Sequence, residues 1–307
     1  MPRLGAHMSA AGGLPLAVER AALHRCESLQ LFTRGPSQWR ARTLHGAEVL
    51  AFRQRLAQAG IWPAVSHASY LINLATADPA LRARSVEALG DEIDRAEALG
   101  LLGVVIHPGA GTGGTEARAV QRAADSVRRM LERRPAGTTL VLLEGTAGQG
   151  ATIGHRFEHL AGIIGRLGGT PRVGVCLDTC HLFAAGFDLS TERGYRQTVR
   201  AFDRIVGLER LHVVHLNDSV RECGSRVDRH AHIGRGRIGL DGFARLLRDR
   251  RLAGLPMVLE TPKAEIGRPT RAVLDPNDER NLGVLRGLIA GPPVSRAGPR
   301  RTPRPRT

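Results

Sequence analysis

Lysine is almost missing from this chain: of its 44 cationic side chains only Lys263 is not arginine, and 29 carboxylates leave a formal net charge of +15. The shortage excludes one reading at once. Gly109, Gly111, Gly113 and Gly114 form a glycine-rich loop, but without the lysine of a phosphate loop they read as a strand-to-helix connection. No G-x-G-x-x-G follows the first apolar run, which argues against a dinucleotide fold. Cys26, Cys176, Cys180 and Cys223 make no paired C-x-x-C spacing and in a chain this long do not suggest a disulfide framework, so reduced thiols are expected. No apolar stretch approaches the ~20 residues that cross a bilayer. The segment Met1-Pro2-Arg3-Leu4-Gly5-Ala6-His7 also lacks the apolar centre of a signal peptide. A cytoplasmic protein with no membrane partner is expected.

Residues 291–307 contain no acid and little that is apolar, and are expected to be a disordered, arginine- and proline-rich tail. The tail holds five arginines, so residues 1–290 carry 15 minus 5, or +10. An arginine skew also follows from coding bias. The excess nevertheless favours a polyanionic partner, because a basic surface gains affinity for phosphates by releasing counterions.

Eight short apolar runs recur at residues 4–7, 29–33, 61–67, 103–107, 139–144, 173–178, 211–217 and 257–261. Several are apolar on both faces, as parallel strands covered on both sides require. Helical patterns lie between them at 14–25, 47–59, 79–99, 116–133, 156–167, 192–208 and 240–251, with a last one at 277–289. Gly60, Gly100, Gly168 and Gly254 stand where C-caps are needed, and Asp78-Pro79 reads as an N-cap followed by a first-turn proline. Eight strand-then-helix units predict an α/β protein with a single (β/α)8 TIM barrel over residues 1–290 and its active site at the C-terminal face of the strands.

The run Val175-Cys176-Leu177-Asp178-Thr179-Cys180-His181 then stands out, a strand ending in a carboxylate with an imidazole three residues on. Residues three apart in a strand face opposite ways, so a shared ion would require the chain to turn out of the strand at Thr179. Other strands end alike. His67, His107, Glu144, Asp178, His215 and Glu260 are the last inward-pointing residues of the third to eighth strands, above Val65, Val105, Leu142, Cys176, Val213 and Val258. One such residue alone would be a hydrogen-bonded structural group. Six at equivalent positions would place carboxylates close enough to repel, and metal ions supply the compensation. With His181, and with Asp228 and His230 from the loop after strand seven, the donors number nine, five imidazoles and four carboxylates. That exceeds the roughly four ligands of one zinc and argues for two or three ions. The mixed nitrogen and oxygen set favours zinc, with manganese or iron also admitted. Three divalent ions against four carboxylates leave +2, or +1 with a bridging hydroxide, which suits a phosphodiester. The residues by themselves thus point to polynuclear metal phosphodiester hydrolysis on nucleic acid.

The chain closely resembles endonuclease IV, the zinc-dependent AP endonuclease family of base-excision repair. The likeness rests on Gly5-Ala6-His7-Met8-Ser9, Ser69-Tyr70-Leu71-Ile72-Asn73-Leu74, His107-Pro108-Gly109, Cys176-Leu177-Asp178-Thr179-Cys180-His181, His215-Leu216-Asn217-Asp218-Ser219 and Val227-Asp228-Arg229-His230. It implies three zinc ions per chain, with manganese admitted at one site. One ion would take His67, His107 and Glu144, a second Glu144, Asp178, His215 and Glu260, and the third His181, Asp228 and His230, with Glu144 and Glu260 as the catalytic carboxylates. The implied partner is double-stranded DNA containing abasic sites, cut on the 5′ side to leave a 3′-hydroxyl and a 5′-deoxyribose phosphate, with 3′ blocking-group removal as a related activity. The resemblance further implies that Tyr70 and Gln38-Trp39 insert at a flipped abasic nucleotide, that Arg229 contacts DNA, and that a monomer suffices. Two positions depart from the family pattern. Gly145 replaces a common asparagine beside Glu144, and Ser37 a longer basic side chain before Gln38. The rival readings are a barrel sugar isomerase or epimerase, which needs only one or two ions, and a damaged-DNA-binding protein that does not cut.

Overall fold

A strand whose two faces are both covered must be apolar throughout, and the runs identified above meet that condition. In the computed structural model, which describes residues 1–265 and 271–291, they become β1 (Arg3–Met8), β2 (Ser28–Leu31), β3 (Ala64–His67), β4 (Gly103–Ile106), β5 (Leu140–Glu144), β6 (Val173–Asp178), β7 (Leu211–Leu216) and, after a small hairpin of β8 (Asp218–Ser219) and β9 (His230–Ala231), β10 (Pro256–Leu259). The eight barrel strands pair in parallel, and β10 pairs back onto β1 to close the ring. The helices α1 (Leu14–Leu23), α2 (Gly46–Ala59), α3 (Pro79–Leu99), α4 (Glu116–Glu132), α5 (Phe157–Arg166), α6 (Thr179–Ala185), α7 (Glu192–Ile205), α8 (Gly239–Leu247) and α9 (Pro276–Ala290) occupy the connections. This is a (β/α)8 TIM barrel. The basic tail at 292–307 lies outside the described residues.

Two apolar cores result. The larger lies between strands and helices, and a smaller one inside the barrel is built by Val65, Val105, Leu142, Cys176 and Val213. Val258 is fully buried but stands apart from this inner group. The register is staggered: His67 lies level with Val105, Glu144 with Cys176, and Asp178 with His215. The strand-end donors therefore climb around the barrel mouth instead of forming a flat ring.

Differences from the sequence reading are local. The chain does not merely turn at Thr179; it enters α6 directly, with Asp178 as N-cap accepting from the His181 N–H at 2.9 Å. The loop after β7 contains the hairpin of β8 with β9, and β9 carries His230. The pattern at 240–251 splits into α8 and a 3-10 turn, Arg250–Leu252, so Gly254 follows that turn and not the helix. The pattern at 192–208 stops at Ile205, and α5 is capped by Leu167 with Gly168 next. Asp78 caps α3 through the N–H groups of Ala80 and Leu81, while Gly60 and Gly100 end α2 and α3 in the left-handed conformation. Among the described residues no helix is long and apolar enough to cross a membrane.

Near the barrel's opposite end, Glu97 ties α3 to the start of β5. Its carboxylate accepts from the Thr139 hydroxyl at 2.6 Å, the Thr139 N–H at 2.9 Å and the Thr138 hydroxyl at 3.0 Å. These bonds, the Thr139 hydroxyl first, hold the carboxyl at about 2 against an ordinary 4.5. The folded value lies below the unfolded one, so the stabilisation is complete above pH 4.5 and is lost as the pH falls towards 2. The group is largely solvated, and solvent screening reduces the worth of the tie to about 1 kcal/mol. Glu97→Ala should lower the unfolding free energy read from urea titration by that amount at pH 7, with the gap to wild type narrowing by pH 3. An equal gap at both pH values would show that ionisation of Glu97 is not involved.

Candidate metal centre

Glu144, fully buried at the end of β5, stands at the middle of the barrel mouth with its two oxygens facing different partners. Oε2 lies 3.0 Å from His67 Nε2 and 3.0 Å from His107 Nε2, while Oε1 lies 3.0 Å from His215 Nδ1 and 3.3 Å from His181 Nδ1. Two groups with mutually close donor atoms follow, His67 with His107 and Glu144, and Glu144 with Asp178, His215 and Glu260. A third brings Asp178 together with His181 and His230. Asp228 reaches both of its rings, with Oδ2 at 3.1 Å from His181 Nε2 and Oδ1 at 3.2 Å from His230 Nε2. All nine sequence-predicted donors thus meet in one place. Asp178, assigned above to the second set alone, approaches the third as well, with Oδ2 at 3.7 Å from His230 Nε2 and 3.8 Å from His215 Nδ1.

The spacing suits shared ions. Two donors each about 2.1 Å from a tetrahedral ion are about 3.4 Å apart, close to most of these separations. The tautomers suit them too. His67 Nδ1 faces the Ala68 carbonyl at 2.8 Å, His181 Nδ1 the Gly145 carbonyl at 2.9 Å, and His230 Nδ1 the Glu260 carbonyl at 3.2 Å. An Nδ1–H donating outward leaves Nε2 with its lone pair turned into the cluster, as in metal-bound histidines. In His215 the roles reverse: Nε2 faces Gln30 Oε1 at 2.8 Å, and Nδ1 is the inward atom. His230 Nε2 faces Asp228 Oδ1 at 3.2 Å and Asp178 Oδ2 at 3.7 Å without good hydrogen-bond geometry to either, an arrangement that a divalent ion between them would suit.

The charges act strongly on one another. Burial pushes the Glu144 carboxyl up, but His107 and His215 outweigh it and hold it well below the usual carboxylate range. Burial likewise raises Glu260, and His215 overrides it. His181 is pushed down by burial and lifted well above its ordinary value by Asp178 and Asp228, and His230 is raised to about 9 against its own burial by Asp178 and Asp228. Metal ions would take the place of the protons these rings hold. Cys180 also approaches Asp228 and His230, but burial pushes its thiol up to about 12, and the sulfur donates to the Arg229 carbonyl.

Supporting residues were not identified from sequence. Gln30 donates to Glu260 Oε1 at 2.5 Å while accepting from His215, and His7 Nδ1 lies 3.4 Å from the same carboxylate oxygen. Asn217 donates to Asp178 Oδ2 at 2.6 Å and accepts from the Glu260 N–H at 2.9 Å. Gln30 left a signal: it is a polar residue at an inward position of a strand. At Gly145 an added Cβ would meet nothing nearer than Leu177 Cδ2 at 3.6 Å, so the site has room for a side chain, and the backbone carbonyl alone supports His181.

At the rim, Tyr70 is 61% exposed with its ring 5.5 Å from His67 and 6.5 Å from His107. Gln38 and Ser37 are exposed beside it and line a groove of about 650 Å³ with His7, Ser9 and Phe32. Trp39 differs. Its indole is half-buried against the core, with the Arg84 guanidinium 4.1 Å from the ring centre. Arg229 is exposed between two donors, giving one hydrogen bond to the Asp228 carbonyl at 2.9 Å.

A second cluster, Glu116 with His155 and His159, lies outside this centre. The Gly154 N–H donates to His159 Nδ1 at 3.1 Å, so the ring proton sits on Nε2 and points at Glu116 Oε2, 3.2 Å away. His159 therefore offers no lone pair to an ion. Its bond to Glu116 ties the start of α4 to α5.

Comparison with known proteins agrees with this geometry. A family model described as a xylose isomerase-like TIM barrel matches residues 18–282. A probable endonuclease 4 of Chloroflexus aurantiacus is 45% identical over 292 residues, covering 95% of this chain and 99% of the relative. One of Geobacter sulfurreducens is 43% identical, covering 93% and 94%. The crystal structure of endonuclease IV from Thermus thermophilus superimposes with a TM-score of 0.82 at 40% identity, covering 94% of this chain and 99% of that one. A D-psicose 3-epimerase structure, at 15% identity and a TM-score of 0.66 over 94% of this chain and 100% of its own, shares the fold alone. The chain therefore belongs to the endonuclease IV family within the xylose isomerase-like TIM barrels.

Proposed function

We propose that this chain is an AP endonuclease that hydrolyses the phosphodiester 5′ of abasic sites in duplex DNA and also removes 3′ blocking groups, using three zinc ions. The observation that carries the reading is Glu144, whose two oxygens each face a separate set of donors, the arrangement that lets neighbouring ions share one carboxylate. His67 and His107 with Glu144 would hold one ion, Asp178, His215 and Glu260 with Glu144 the second, and His181, Asp228 and His230 the third. Ions held there supply Lewis acidity and the hydrolytic nucleophile at neutral pH. Gln30 and Asn217 orient Glu260 and Asp178 for this task. Tyr70 and Gln38 stand where they can fill the gap left by a flipped abasic nucleotide, which has no base to unstack. Trp39 is assigned to support of its loop through Arg84, and Arg229 to contact with DNA phosphates. The protein is proposed to act as a monomer in the cytoplasm.

Zinc-replete protein should nick a duplex containing one abasic site, leaving a 3′-hydroxyl. A chelator should abolish the nick and added zinc restore it. Binding of that duplex without cleavage would sink the nuclease reading, and one manganese or magnesium per chain with no zinc would favour an isomerase. Glu144→Gln should lower turnover by more than about 100-fold, since it weakens two ion sites together. Near-normal turnover with unchanged zinc content would remove Glu144 from its assigned role. Tyr70→Ala should cost about 10-fold in selectivity for abasic over intact duplex, the worth of one stacked ring, and leave zinc content alone. Unchanged selectivity would reject insertion.

A further inference from the structure

The two loops that carry Gln38 and Tyr70 are separate in sequence, and a single buried carboxylate on α3 joins them. Glu92 is fully buried. Its Oε2 accepts from the Thr33 hydroxyl at 2.7 Å, and its Oε1 lies 2.7 Å from Arg34 Nε and accepts from the Ser69 N–H at 3.3 Å. Thr33 and Arg34 open the loop after β2, and Ser69 opens the loop after β3. Arg34, itself buried, spends its other nitrogens on the Trp39 carbonyl at 2.8 Å and the Ala88 carbonyl of α3 at 3.1 Å. The loops are also joined to each other at Pro36, whose carbonyl accepts from the Ser69 hydroxyl at 2.8 Å and the Tyr70 N–H at 2.9 Å.

A buried ion pair is poor evidence of stability, because desolvation offsets most of its attraction. A pair whose two members also bond neighbouring backbone and hydroxyl groups is better at fixing one geometry. This pair serves two rim segments, and both of its members bond loop backbone.

We propose that Glu92 is a positioning residue for damage recognition: through Arg34, Thr33 and Ser69 it holds the loops after β2 and β3 in one register, so that Gln38 and Tyr70 meet the DNA as a single surface. This rests on the nuclease reading above. It assigns Glu92 no part in the chemical step, so its loss separates substrate capture from turnover.

The test compares zinc-replete wild type with Glu92→Gln, Thr33→Val, Tyr70→Ala and the Glu92→Gln/Tyr70→Ala pair. KM and kcat are read on an abasic duplex and Kd on an intact one. Glu92→Gln preserves volume but leaves Arg34 only the exposed Asp91 carboxylate, 4.0 Å away, as counter-charge. It should raise KM about 10-fold with kcat within about 2-fold and the Kd for intact duplex unchanged. Thr33→Val, which removes the hydroxyl that Glu92 Oε2 accepts from and keeps the side chain's volume, should raise KM about 3-fold and decides the matter if Glu92→Gln fails to fold. The double variant should be no worse than Tyr70→Ala, because residues acting through one surface are not additive. An unchanged KM in the folded variants, fully additive effects, or a fall in kcat and zinc content at constant KM would overturn the role of Glu92. A wild type that does not nick at all would instead overturn the nuclease reading.

Discussion

A carboxylate can be fully buried only where its charge is answered, and the mouth of this barrel must answer four. Glu144 and Asp178 have no exposure at all, and Glu260 is largely covered by His215, Gln30 and His7. Hydrogen bonds to neutral groups would not suffice, because several like charges within a few ångströms raise each other's cost of ionisation. The five imidazoles therefore follow from the carboxylates, and each turns its outer nitrogen away or toward a fixed acceptor so that the inner one faces the acids. The apolar layer of Val65, Val105, Leu142, Cys176 and Val213 beneath offers these groups no alternative partner. It supports them from below and denies them water, which strengthens every charge interaction above it.

How far this could be read in the sequence depends on the length over which each signal repeats. Strands such as Gly103–Ile106 and Leu140–Glu144 were legible because two-sided burial leaves an unbroken apolar run, and their last inward residues followed from alternation. Shorter elements left no period to find. The helix Thr179–Ala185 has only 7 residues, and the hairpin holding His230 only 2 per strand. Both change the placement of donors: entry into the helix puts the His181 ring on the Asp228 side, with Asp178 capping it. Trp39 shows a different limit. Its partner Arg84 lies on another element, and nothing in the local sequence distinguishes a tryptophan held by a guanidinium from one free to stack.

The fold itself carries little of the functional information. A barrel superimposing on a sugar epimerase at 15% identity shows that the scaffold admits unrelated chemistry, and the choice lies with the strand-end donors and the loops above them. Here the two are built differently. The donors are fixed by β-strands and by one another, while the rim loops after β2 and β3 depend on polar ties to α3. The strand-end donors and the rim loops are thus held in place by separate parts of the structure.

The arginine excess gains a more exact meaning from the same contacts. Many guanidinium groups are occupied with backbone carbonyls: Arg95 with those of Thr33 and Arg42, Arg122 with that of Ala75, Arg172 with those of Arg134 and Thr139, and Arg210 with those of Gly169 and Thr170. A planar fork with five donors suits this use, where a lysine would offer only a point charge. These residues are therefore structural ties, unavailable for direct phosphate contact. A carbonyl nevertheless does not neutralise a cation, so each still adds to the field around the molecule. The net charge of +15 consequently measures long-range attraction for a polyanion better than it counts groups free to make contacts.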